Sequence, residues 1–198
     1  MTAYATTAEI KAAMRITDTT DDALIGACGT AATALIDGYC GRTFSSSGTV
    51  TRYYAASDDY VLQVDDLAGT AITLQTSSSL NGTYDLTWTA SDYQLEPVNG
   101  VVDGMSWPYT RIRAVGNYTF PCYASYIGVK ITGVFGFPSV PAVVTQACIL
   151  QAERLFKRFD SPLGVAGFGD MGAMRVSSKL DPDVAMLLAP YVRYRGVA

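Results

Sequence analysis

TTAEIKAAMRITDTTDDALIGACGTAATALIDGYCGRTF, Thr6 to Phe44, contains two helix starts and one helix stop. Thr6 and Glu9 have the spacing of a capping box, in which hydroxyl and carboxylate each satisfy a free backbone N–H. A short helix to about Arg15 follows, burying Ile10 and Met14. Thr19-Thr20-Asp21-Asp22 marks a second start, with two carboxylates where the helix dipole favours negative charge. After it Leu24, Ile25, Cys28, Ala31, Ala32, Leu35, Ile36 and Tyr39 recur at helical spacing, and Gly41 suits a left-handed stop. The helix is rich in alanine and glycine, so another helix can approach closely; Gly26 and Gly29 cost helix stability that tertiary packing offsets.

Working outward from this unit, the period changes to two between Ser45 and about Phe137, and Asp, Ser, Gly and Asn multiply. Short strands are expected at Thr49–Tyr54, Asp59–Val64, Ala71–Thr76, Tyr84–Thr89 and Tyr93–Glu96, with turns at Asn81-Gly82 and Asn99-Gly100. Arg111–Val115 and Tyr126–Thr132 read as a closing pair. Pro138 and Pro141 end the sheet, and Pro141 opens a second long helix to about Asp160, with Val144, Cys148, Gln151, Leu155 and Phe159 on one stripe and Ile149, Ala152 and Phe156 beside it. This helix is expected to pack on the first. Asp181-Pro182-Asp183 caps a last short helix, stopped by Pro190, and Tyr191–Arg195 is an aromatic and basic tail. The reading is an α+β chain: an antiparallel helical bundle of two long helices with short N- and C-terminal helices, and a small antiparallel β-domain inserted into it. Its parts are residues 1–44, the β insertion 45–137, the completing helix 138–160, and a glycine-rich loop with a C-terminal segment over 161–198.

A chain of 198 residues buries a core without staples. Its 49% hydrophobic and 16% charged residues suggest further surface buried against partners. Fourteen bases against eighteen acids give a net charge of −4, the wrong sign for broad binding of phosphate backbones. Met1–Ile10 has no secretory pattern and the apolar stretches fall short of a bilayer span, so a protein made in a cytoplasm is expected. Cys28, Cys40, Cys122 and Cys148 form no CxxC pair and read as buried reduced thiols.

No catalytic constellation emerges. The chain has no histidine, which removes the usual triads and imidazole metal sites. The acid pairs Asp21/Asp22, Asp58/Asp59 and Asp65/Asp66 fall at expected helix starts or strand ends, where capping explains them. None of Lys11, Lys130, Lys157 and Lys179 sits in an apolar setting with a base nearby. Gly167–Gly172 matches GxGxxG, yet a helix and a proline precede it, where a dinucleotide site needs a strand before and a helix after. Tyr53, Tyr54, Tyr60, Tyr84 and Tyr93 form either cross-strand pairs or a sugar-stacking platform. Arg154, Lys157 and Arg158 complement a helix C-terminus and need no DNA. No catalytic residue, metal or cofactor is expected.

Thr6–Phe44, a short helix, an acidic turn and an alanine-rich helix ending in Tyr39-Cys40-Gly41-Arg42, resembles the opening of tailed-bacteriophage head-to-tail connector, or adaptor, proteins. VPAVVTQACILQAERLFKRFDSPLGVAGFGDMGAMRVSSKLDPDVAMLLAPYVR, Val140 to Arg193, resembles the C-terminal half of the long-insertion branch of that family. The resemblance implies a non-enzymatic virion subunit in the neck, assembled as a ring of about twelve copies between portal and stopper or tail proteins, with DNA passing its lumen unbound and no membrane role. It also implies portal docking by the C-terminal segment, here Leu187, Leu188, Tyr191, Arg193, Tyr194 and Arg195. The apolar side chains of the glycine-rich loop, Leu163, Val165, Phe168, Met171 and Met174, are expected to contact a neighbouring subunit or the stopper. The alternatives are another neck or tail-completion protein, a carbohydrate-binding or adhesion module on the aromatic β region, and, furthest off, a carboxylate-dependent hydrolase.

Overall fold

The computed structural model describes residues 3–123, 126–159, 165–167, 173–175 and 180–193. The chain forms two units, one of residues 1–44 with 140–198 and one of residues 45–139. It is an α+β protein, with four α-helices and antiparallel sheets among the described residues.

In the first unit, α1 (Thr7–Met14) begins with the expected capping box: Thr6 Oγ accepts from the Glu9 N–H at 3.2 Å, and the Glu9 carboxylate accepts from the Thr6 N–H at 2.7 Å. Ile10 is fully buried, whereas Met14 is only half-buried. The next start works differently from expectation. Helix α2 (Asp22–Cys40) has no side-chain cap bond from Asp21. Asp22 instead pairs with Lys11 Nζ, tying the start of α2 to α1. Gly41, at φ 64°, ends α2 in the left-handed conformation as expected.

The buried face of α2 is Ile25, Cys28, Gly29, Ala32, Thr33, Ile36 and Cys40. A Cβ on Gly29 would lie 3.0 Å from Ile10 Cδ1, so the glycine lets α1 approach. The expected stripe was too wide: Leu35 and Tyr39 stand 45% and 41% exposed. The expectation about apolar length also needs correcting. By length and composition α2 is able to cross a membrane; here it lies against α1 and against α3 (Ala142–Phe159). Thr33 stitches this core: its Oγ donates to the Gly29 carbonyl, accepts from the Tyr4 N–H, and lies 3.6 Å from Cys148 Sγ of α3.

On α3 the buried residues are Val144, Ala147, Cys148, Gln151 and Ala152. Leu155 is half-buried and Phe159 is 69% exposed, because burial stops at Ala152, about two turns before the helix does. Beyond α3, β10 (Val165–Gly167) and β11 (Ala173–Arg175) pair antiparallel where a loop was expected. Helix α4 (Pro182–Leu188) follows, capped by Asp181, whose carboxylate accepts from the Asp183 N–H at 3.0 Å.

The second unit is built from β1 (Thr49–Tyr54), β2 (Val61–Leu67), β3 (Thr73–Thr76), β4 (Leu86–Trp88), β5 (Tyr93–Glu96), β8 (Tyr109–Ala114) and β9 (Val129–Val134). They make two sheets, ordered β1-β9-β3-β4 and β2-β8-β5. One apolar core takes residues from both: Leu62 and Val64 with Ile112 from the smaller sheet, and Leu74, Trp88 and Ile131 from the larger. Trp88 stacks on Phe120 with centroids 4.8 Å apart, and its Nε1 donates to Thr76 Oγ at 2.9 Å.

Arg111–Val115 and Tyr126–Thr132 are not a closing pair, since β8 lies between β2 and β5, and β9 between β1 and β3. The connection between them, residues 115–128, is far longer than the two-residue loop a direct hairpin favours, and it crosses to the other sheet. A small hairpin was missed: β6 (Val101–Val102) and β7 (Met105–Ser106) pair around Asp103 and Gly104, both at positive φ as a primed turn requires.

Candidate interaction surfaces

The C-terminal end of α2 is a knot of aromatic and polar groups. Tyr4 Oη donates to Asp37 Oδ1 at 2.5 Å and accepts from the Phe44 N–H at 2.8 Å. The Phe44 ring, fully buried, lies edge-on between Tyr4 and Tyr191, with centroids 5.8 and 5.6 Å away. The Arg193 N–H donates to the Cys40 carbonyl at 2.8 Å, closing a carbonyl left open by the helix end. Burial raises the Asp37 carboxyl above the usual carboxylate range, against the bond from Tyr4, which lowers it. Burial likewise pushes the Cys40 thiol up to about 11 and raises Tyr191.

This arrangement sorts the residues expected to dock. Leu188 and Tyr191 are buried inside the unit, where they hold the C-terminal segment on α2 and offer no surface. Leu187 and Arg193 are half-buried, and Tyr194 and Arg195 lie outside the described residues. The exposed apolar side chain of α4 is Met186, at 71%, which sequence reasoning missed although it follows Val184 and Ala185 in the same helix. Of the loop residues, Leu163, Phe168 and Met171 lie outside the described residues, and Val165 and Met174 fall in β10 and β11. Gly167 is the last residue of β10, and the rest of the GxGxxG match, residues 168–172, lies outside the described residues.

In the β unit the charge is one-sided. Asp58, Asp59, Asp65, Asp66, Asp85, Asp92, Glu96 and Asp103 face only Arg52, Arg111, Arg113 and Lys130, so this unit carries the whole net charge of −4. The acids have structural work. Asp58 accepts from the N–H groups of Tyr60 and Val61 at 2.8 Å each. Asp65 and Asp66 lie inside β2, not at its end as expected; Asp65 pairs with Arg52 at 2.6 Å and accepts from Tyr54 Oη at 3.3 Å. Burial, then the Asp65 charge, push Tyr54 up to about 12. Asp85 and Asp92, bonded by Ser78 and Thr89, are held below the usual range.

Among the described residues no group of three or more His, Cys, Asp or Glu is placed to hold a metal. Lys157 pairs with Glu153 and Arg154 with Asp181, so the basic cluster on α3 is largely answered within its own unit. Cys28, Cys40 and Cys148 are buried free thiols as expected, but Cys122 is exposed. It follows Pro121 in the long connection between β8 and β9. Tyr53 and Tyr84 approach at 5.5 Å with rings tilted by 45°, and Tyr53 is 55% exposed.

Residues 4–80 match the family model described as phage gp6-like head-tail connector protein. Among solved structures, the chain resembles one from the neck of an empty GTA particle computed with C6 symmetry: 18% identity, TM-score 0.55, covering 97% of this chain and 91% of that one. It also resembles one from the neck of a native GTA particle computed with C12 symmetry, at 19% identity and TM-score 0.54, covering 95% and 90%. A third, from the virion of a native gene transfer agent (GTA) particle, matches at 19% identity and TM-score 0.53, covering 97% and 91%. No curated protein matches the sequence. At these identities the likeness is one of fold. The family match and the neck-derived neighbours agree with the connector resemblance carried by Thr6–Phe44.

Proposed function

We propose, from the match of residues 4–80 to the phage gp6-like head-tail connector family, that this chain is a structural neck adaptor of a tailed phage or phage-like particle. Its copies form a ring between portal and stopper or tail proteins, without chemistry of their own. The observation that carries the reading is the coincidence of that family match with a fold shared over 95% or more of the chain with neck proteins of GTA particles. A ring of about twelve copies is consistent with the C12 symmetry of one of those necks. In this reading α2 and α3 are the long members of an antiparallel bundle and form its stiff wall. The acidic β unit keeps DNA from adhering as it passes, since like charge repels the phosphate backbone. The end of the helical unit docks on the portal through Met186, Leu187 and the chain beyond Arg193, held in place by the Phe44–Tyr191 knot.

Native mass spectrometry of the chain mixed with portal rings from the same particle tests this. A discrete complex of about twelve chains per portal, weakened by Met186→Glu and by removal of residues 194–198, is the expected result. No association at any ratio overturns the reading. A second reading, a carbohydrate-binding module, draws on the exposed Tyr53 beside Tyr84. Glycan affinity of the isolated protein, lost on Tyr53→Ala, distinguishes it.

A further inference from the structure

The larger sheet has one long edge without a strand beside it. β1 pairs with β9 residue for residue from Thr49 to Tyr54, and among the described residues no strand lies on its other side. The direction of its backbone groups follows from the far side of β9. The Ser77 N–H donates to the Gly128 carbonyl, in register with the Thr76 to Val129 pairing of β3 and β9. The Gly128 carbonyl and the backbone groups of Lys130 and Thr132 therefore turn to β3, because direction alternates along an antiparallel strand. Val129, Ile131 and Gly133 then serve β1 through Tyr54, Arg52 and Val50. Thr49, Thr51 and Tyr53 are left with N–H and C=O groups aimed at the open edge.

Open edges invite pairing, and proteins usually blunt them with bulges, acids, prolines or short strands. The other edges here are blunted. β2 is irregular between Gln63 and Leu67 and carries Asp65 and Asp66 there. β4 has three residues, and β5 runs directly into Pro97. β1 has six residues, no proline, no acid and an unbroken register; its one charge, Arg52, is held by Asp65. In the helical unit the opposite situation holds. β10 and β11 form a two-stranded sheet of three-residue strands with no third strand among the described residues. Such a hairpin is marginal in water and gains stability from a further strand.

We infer that in the ring proposed above the β10–β11 hairpin of one copy adds to the β1 edge of the next, through the backbone groups of Thr49, Thr51 and Tyr53. The inference rests on the ring reading. A donor hairpin on one unit and an acceptor edge on the other make a head-to-tail contact, the kind that closes into a ring when the rotation per copy allows. The occupant of the edge is thus a second copy of this chain.

Hydrogen exchange read by mass spectrometry, on full-length monomer and on rings formed alone and with portal, tests it. Peptides covering 49–54 and the strands at 165–167 and 173–175 are expected to gain protection together in the ring, in the first through the amides of Thr49, Thr51 and Tyr53, since Val50, Arg52 and Tyr54 already serve β9 in the monomer. Thr51→Pro removes one outward N–H and no bond to β9, a place where an edge strand tolerates proline. It is expected to leave the monomer's melting temperature near wild type and to lose the ring species. Rings in which 49–54 gains no protection over the monomer, or Thr51→Pro chains that assemble like wild type, overturn the inference and leave the ring reading standing. Protection of 49–54 only when portal is present overturns the choice of a second copy as occupant. If no ring forms under any condition, the adaptor reading itself fails, and the edge contact with it. Should Thr51→Pro not fold, the wild-type exchange pattern alone decides.

Discussion

Gly136 tests the closure of the β unit where the chain is about to leave it. Its φ is +98°, and a Cβ built there would lie 2.1 Å from the Ser45 carbonyl oxygen and 3.0 Å from the carbon behind it. Its N–H donates to the Asp66 carbonyl at 2.7 Å, so the residue cannot swing away without breaking that bond. Gly136→Ala carries two separable costs. Positive φ costs an L-residue about 1–2 kcal/mol. Relieving overlap with backbone, which has no alternative rotamer, adds about 1–3 kcal/mol, for a loss of about 2–5 kcal/mol in all. Gly48 supplies the control: its φ is +67° but nothing lies within 4 Å of its missing Cβ, so Gly48→Ala carries only the first cost. Both tryptophans, Trp88 and Trp107, belong to the β unit, so urea unfolding followed by tryptophan fluorescence reports on this unit. The midpoint for Gly136→Ala should fall well below that for Gly48→Ala at similar m-value. Equal midpoints would refute the close approach of Ser45 and Gly136 and the closure built on it.

Phe44→Ala removes a fully buried ring between Tyr4 and Tyr191 and should cost about 3–5 kcal/mol, seen as a lower urea midpoint in far-ultraviolet circular dichroism; a change under about 1 kcal/mol contradicts the knot. Burial raises the Asp37 carboxyl, so the folded state holds its proton more tightly than the unfolded state, and the stability linked to it is full at low pH and lost as pH rises through the folded pKa. Asp37→Asn keeps an acceptor for Tyr4, so its melting temperature relative to wild type should climb across that window and then level off; a difference independent of pH speaks against the buried carboxylate. Of the four thiols, Cys122 should react with a water-soluble disulfide reagent in the native protein and Cys28, Cys40 and Cys148 only on unfolding, with equal rates for all four counting against the burial pattern.

Much of the architecture was legible because local signals and tertiary structure agree. The Thr6–Glu9 box, the Gly41 stop and the Asp181-Pro182-Asp183 start each depend on backbone groups within a turn, and each appears in the structure. β1 and β5 likewise follow from alternation and flanking turn residues, with bounds as read. Which strands pair is another matter. β8 and β9 are consecutive in sequence and both apolar on one side, yet their partners are chosen by which sheet completes the core around Trp88 and Phe120. That choice depends on contacts far apart in the chain, which periodicity does not contain. The charged residues misled for a related reason: Asp65 and Asp66 read as a strand end because acids are rare mid-strand, whereas here Arg52 and Tyr54 answer Asp65 from β1.

The mismatches on the helices carry information of their own. Leu35 and Tyr39 on α2 and Phe159 on α3 belong to apolar stripes in the sequence, yet the folded chain leaves them 41–69% exposed. Periodicity records every apolar position a helix presents, whether the subunit's own core or another chain is to cover it. Subtracting the faces this subunit buries, Ile25 to Cys40 on α2 and Val144 to Ala152 on α3, leaves a residual stripe that its own folding does not explain. In the ring proposed above, such a residue set is where burial against neighbours is to be sought. The same reasoning applies to the C-terminal segment. Leu188 and Tyr191 are the apolar and aromatic side chains that stand out in the C-terminal segment, and for that reason the subunit's own core had first use of them, leaving Met186 outside.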